Sequence, residues 1–140
     1  MMDRVLVDTG PLVAVTSRRD AYHEVCVRQS SELPHPLYTC WPVLTEAAWL
    51  LRRHPVGFGK LLASIEHRAL RLLDLDEAAV PKIAAFLDRY RNLGAQLADA
   101  ALMYLAEREG IDTIFTLDSR DFTLYRLSRN RKVRVIPKVE

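Results

Sequence analysis

The chain has 140 residues, of which 49% are hydrophobic, enough for one domain over residues 1–140 with a sizeable core and too many for a disordered segment. Its 20 Lys and Arg nearly balance 18 Asp and Glu, so bulk charge does not mark a polybasic nucleic-acid binder. Cys26 and Cys40 lack metal or redox spacing, no uncharged apolar run nears the roughly 18 residues of a bilayer span, and no apolar leader precedes the first strand, so a cytoplasmic protein with no membrane partner is expected.

Val5-Leu6-Val7 is a continuous apolar run, the pattern of a strand covered on both faces in a parallel sheet. Asp8 arrives where that strand ends. Gly10 permits a tight turn, and Pro11 suits the first position of a helix over Leu12 to Ser17. Asp20 is placed to cap a second helix, with Tyr22, Val25, Cys26 and Gln29 along one side, ended by Pro34 and Pro36. Leu37 to Trp41 reads as the second strand, after which Pro42 opens a helix to Arg53. Val56 to His67 is the next helix and Leu70 to Leu75 the third strand. Asp76 and Glu77 start a helix that continues to Tyr90, with Pro81 moving its true start later. Asn92-Leu93-Gly94 breaks the chain, and Ala95 to Glu109 forms a long helix closed by Gly110. Thr113 to Leu117 and Val133 to Ile136 are the last two strands. Strands alternating with helices predict an α/β fold, an αβα sandwich around a parallel five-stranded sheet.

In such a sheet, helices that follow a strand begin at its carboxyl edge, where ligand chemistry collects. Asp8 and Asp118 fall directly after strands one and four, and Glu46 and Asp99 fall about one turn into helices that start there. Four acids from distant parts of the chain therefore converge on one edge. Each also has a plainer role. Asp8 suits a helix cap, Asp99 an N-cap if its helix begins at Ala100, and Asp118 a turn, as Asp121 does. Glu46 has no charged partner among Pro42, Val43, Trp49 and Leu50, and Asp99 is the only charged residue from Asn92 to Ala106. Four neighbouring carboxylates raise one another's pKa, and a hard divalent cation relieves that. An all-oxygen set suits Mg²⁺ or Mn²⁺, whereas the scattered His23, His35, His54 and His67 do not suit zinc. The chemistry suggested is phosphodiester hydrolysis.

The order and spacing of these pieces resemble the PIN-domain proteins, specifically VapC-type toxins, from Val5-Leu6-Val7-Asp8-Thr9 to Val135-Ile136-Pro137. Leu97-Ala98-Asp99-Ala100-Ala101-Leu102 and Thr116-Leu117-Asp118-Ser119-Arg120-Asp121-Phe122 carry most of the likeness. The resemblance implies that Asp8, Glu46, Asp99 and Asp118 are catalytic residues and ligands of Mg²⁺ or Mn²⁺. It further implies endoribonuclease action on single-stranded RNA, a small antitoxin partner, and a homodimer. Thr9, Ser119 and Asp121 match as accessory positions. Similar sequences often carry acids where this chain has Asn92 and Gln96.

Arg120 and the acid-free tail from Tyr125 to Lys138, including Arg126, Arg129, Arg131 and Lys132, form a candidate phosphate footprint. A second basic concentration includes Arg52, Arg53, His54, Lys60, His67, Arg68 and Arg71, and the plainer reading of both is a solvated surface. Tyr125 suits core packing better than base stacking. Two other functions fit less well. A catalytically weak PIN domain serving as an RNA- or protein-interaction module does not need all four acids. A phosphoacceptor domain of the haloacid-dehalogenase type wants a second Asp at position 10, which is Gly, and the receiver type wants a Lys pattern that is absent.

Overall fold

A strand with no polar face needs cover on both sides, and Val5, Leu6 and Val7 are all buried at the middle of the sheet. This computed structural model describes residues 3–138; Met1, Met2, Val139 and Glu140 of the expected 1–140 domain lie outside the described residues. The sheet has five strands, β1 (Leu6–Val7), β2 (Leu37–Thr39), β3 (Leu70–Leu72), β4 (Thr113–Phe115) and β5 (Arg134–Ile136), in the order β3-β2-β1-β4-β5. Every neighbouring pair is parallel, with Leu6 opposite both Tyr38 and Ile114. The parallel αβα architecture expected from the sequence is therefore the one observed. Strand order reverses between β1 and β4, so the carboxyl ends of these two strands flank the topological switch point.

The helices are α1 (Thr9–Thr16), α2 (His23–Glu32), α3 (Trp41–Leu50), α4 (Pro55–Glu66), α5 (Val80–Arg89), α6 (Leu97–Glu109) and α7 (Ser119–Phe122). α1 packs on α2, α3 and α4, while α6 packs on α3 and α5. α6 ends on Gly110, whose φ of +67° suits a residue without Cβ. Among the described residues, no helix is long and apolar enough to cross a membrane, and both cysteines are free and buried.

Several elements differ from expectation. The strands span two or three residues, shorter than the sequence pattern suggested. α1 starts at Thr9, not Leu12, so Pro11 is its third residue; the first-turn N–H groups lack helical partners anyway, which makes Pro harmless there. Asp20 holds the turn before α2 by accepting from the Tyr22 N–H at 2.8 Å. Of the expected apolar side of α2 only Cys26 is buried; Tyr22 and Val25 are 51% and 39% exposed. α7, four residues long, falls where only a turn was expected.

Candidate active site

Asp8 stands at the end of β1 in extended conformation, 8% exposed, and its carboxylate does not cap α1. Its partner comes from across the switch point. The Thr116 hydroxyl, fully buried after β4, donates to Asp8 Oδ2 at 2.8 Å and accepts the Asp118 N–H at 2.9 Å. One threonine thus ties the ends of β1 and β4 together. Burial pushes the Asp8 carboxyl up to about 6; the Thr9 backbone N–H and the Thr116 hydroxyl oppose this, and the charges of Asp99 and Glu46 add to it.

Asp99 sits in the first turn of α6 and is half-buried. The helix begins at Leu97, so Asp99 is not its N-cap. Gln96 is, and the two form a capping box: the Gln96 side chain takes the Asp99 N–H, and Asp99 Oδ2 accepts from the Gln96 N–H at 3.5 Å. The stronger contact on the same oxygen is the Tyr125 hydroxyl at 2.8 Å. Tyr125 is fully buried with its ring centroid 4.8 Å from Phe86, 4.9 Å from Tyr90 and 5.1 Å from Phe122. That cage leaves the ring one orientation, and burial together with Asp99 raises the phenol pKa, so it stays a donor. Burial raises the Asp99 carboxyl also; Tyr125 and Gln96 pull it down, and Asp118 and Glu46 push it up. Among the described residues Asp99 Oδ1 accepts no hydrogen bond and is free for a ligand.

Asp118 caps α7, accepting from the Asp121 N–H at 3.4 Å. Burial raises its pKa, the Asp121 charge adds to that, and the Arg120 charge opposes it. Glu46, half-buried on α3, completes the ring. The four acids line one cleft of about 510 Å³ with Thr9, Gly10, Gln96 and Asp121. Gly10 packs closely there: a Cβ would come to 3.3 Å from the Leu117 side chain, which would have to shift by a few tenths of an ångström.

The remaining sequence candidates divide. Thr9 is buried, with its hydroxyl 3.5 Å from the Val43 carbonyl, and Ser119 is the first residue of α7 and does not line the cleft. None of Arg120, Arg126, Arg129, Arg131 and Lys132 lines it either. Arg126 donates to the Thr123 and Tyr125 carbonyls, and Arg131 pairs with Glu107 at 2.9 Å. Arg120 lies close enough to Asp118 to influence its charge, while Arg129 and Lys132 are exposed. Sequence reasoning missed the roles of Thr116 and Tyr125. Thr116, two residues before an acid at a strand end, carried a weak signal; the Tyr125 hydroxyl carried none.

Among the described residues no three acidic, histidine or cysteine side chains meet tightly enough to grip an ion as they stand; the acids ring the cleft. The donor chemistry nonetheless fits a hard divalent cation. All donors are carboxylate oxygens, one oxygen of Asp99 is free, and Asp8, Asp99 and Asp118 each have at least one other acid of the cleft close enough to add to the rise that burial causes.

A family model described as PIN domain matches residues 5–129. Among solved structures the chain is similar to the crystal structure of Mycobacterium tuberculosis VapC20, a sarcin-ricin loop cleaving toxin. The two share 22% identity at a TM-score of 0.67, over 79% of this chain and 86% of that one, a likeness of fold. No curated protein sequence matches the chain.

Proposed function

The chain belongs to the PIN-domain family, and from that premise we propose that it is a Mg²⁺- or Mn²⁺-dependent endoribonuclease cleaving single-stranded RNA. We assign it as the toxin of a type II toxin–antitoxin pair, acting in the cytoplasm as a homodimer and silenced by a small antitoxin. The observation that carries the reading is the convergence of Asp8, Glu46, Asp99 and Asp118 on one cleft at the switch point. Asp8 and Asp99, the two most buried, are each held by a hydroxyl, from Thr116 and Tyr125. Each hydroxyl fixes one carboxylate oxygen, and Asp99 Oδ1 is left for ligation. Glu46 and Asp118, lining the same cleft, complete the all-oxygen set. Asp8, Glu46, Asp99 and Asp118 would hold the cation, which would supply charge neutralisation at a phosphate and a more acidic water. The cleft offers no lysine to a phosphoacceptor mechanism, and a binding module alone gives no reason to crowd four acids.

Purified protein is expected to cut a fluorescent single-stranded RNA with Mg²⁺ or Mn²⁺ and not in EDTA, with Glu46→Gln reducing the rate at least a hundredfold. Cleavage that persists in chelator and stops with an RNase inhibitor marks a contaminant and removes the activity.

A further inference from the structure

A second concavity lies at the far end of α1. We propose that the depression walled by Arg18, Arg19, Arg53, His54 and Lys60 is a phosphate subsite that holds the RNA backbone a few nucleotides from the acidic cleft. This rests on the ribonuclease reading and extends it to residues outside the cleft.

The depression encloses about 520 Å³, and its cationic walls come from three separate segments: the end of α1, the α3–α4 connection and α4 itself. No carboxylate lines it. With 20 basic and 18 acidic residues in the chain, that segregation does not follow from an excess of base. Among the described residues none of Arg18, Arg19, Arg53 and Lys60 enters an ion pair. Like charges turned into one concavity repel, and a polyanion is the ligand that relieves them. The backbone adds to the same field. α4, twelve residues long, opens here with Pro55 and no side-chain cap, and Val56 and Gly57 of its first turn line the depression.

Position decides which anion. α1 borders the cleft with Thr9 and Gly10 and the depression with Thr16, a separation of about 9 Å at the helical rise. α3 borders the cleft with Glu46 and Leu50, and Arg53 follows within a turn. The α1–α3 seam therefore connects the two sites over a distance that a short stretch of RNA spans. A free phosphate would gain nothing from that connection, whereas a strand cut in the cleft gains an anchor.

The test compares Arg53→Ala/Lys60→Ala with a charge-matched control, Arg28→Ala/Lys82→Ala, whose side chains are exposed elsewhere. Anisotropy with labelled single-stranded RNA, in EDTA so that no cleavage intervenes, gives affinity as a function of salt. The subsite variant is expected to bind a long RNA at least tenfold more weakly, with the log–log salt slope reduced by roughly 1.4, while the control keeps its slope. In Mn²⁺ its KM for long RNA rises with kcat unchanged, and a trinucleotide too short to reach the depression is cut as by wild type. Wild-type affinity and slope in the subsite variant overturn the proposal. So does equal weakening by the control, or an effect confined to binding of an acidic protein partner. Because binding is read in chelator, absence of cleavage by the wild type defeats the nuclease reading separately.

Discussion

Asp8 bears the heaviest electrostatic cost in the cleft, and its sign can be followed through pH. Its carboxyl titrates near 6 in the fold against an ordinary 3.8. Below 3.8 both folded and unfolded chains carry the proton and nothing is lost. Between the two values the unfolded chain ionises first, so stability falls as pH rises; above about 6 the penalty is constant at roughly 3 kcal/mol. Asparagine keeps an oxygen for the Thr116 hydroxyl and removes the charge. Urea unfolding in EDTA should therefore find Asp8→Asn more stable than wild type by about 2–3 kcal/mol at pH 7.5 and equal to it at pH 3.5. A variant less stable at pH 7.5 would show that the charge is not strained. Tyr125→Phe probes the other hydroxyl. It retains the ring among Phe86, Tyr90 and Phe122 while leaving Asp99 to Gln96 alone. The Mn²⁺ dissociation constant is expected to rise about 10–100-fold, read by calorimetry. The acids themselves were legible from strand ends and helix starts. Their hydroxyl partners were not, because a buried hydrogen bond between residues 108 or 26 apart leaves no local pattern.

At the scale of elements, α6 shows why two readings of one residue need not compete. The sequence posed Asp99 as either ligand or cap, and the helix start at Leu97 lets it cap from the third position while facing the cleft. Gln96, where similar sequences often carry an acid, is the other half of that box. Gln96→Ala is expected to cost about 1 kcal/mol in urea unfolding, equally in EDTA and in Mn²⁺, because the loss is of a cap. A loss seen only in Mn²⁺ would instead make Gln96 part of the metal environment. Elements with strong punctuation, such as α6 before Gly110 or α4 after Pro55, were readable to within two residues. α7 was not, since four residues hold too little periodicity to distinguish a helix from a turn, and it is Asp118 itself that nucleates it by capping.

Taken whole, the molecule leaves apolar surface where the sequence suggested core. Tyr22 and Val25 lie on the side of α2 that the sequence marked as apolar, yet they and Trp49 are exposed, while Cys26, Val43, Leu44 and Ala47 are buried. Periodicity reports which side of a helix is apolar and is silent on whether that side meets its own chain or another. Both tryptophans of the chain lie on α3, Trp41 and Trp49, each 63% exposed, with the Arg52 guanidinium 3.9 Å above the Trp49 ring. Their fluorescence therefore reports on this one face without labelling. In a dilute isolated chain emission is expected at the wavelength of water-exposed indole. If a second copy or an antitoxin covers α3, emission shifts to the blue as concentration rises or the partner is added, and an iodide quencher loses access in parallel. The shift should follow the same concentration dependence as the sedimentation coefficient. Dimerisation or antitoxin binding with no change in emission or quenching would place the interface elsewhere, leaving this aromatic face to solvent.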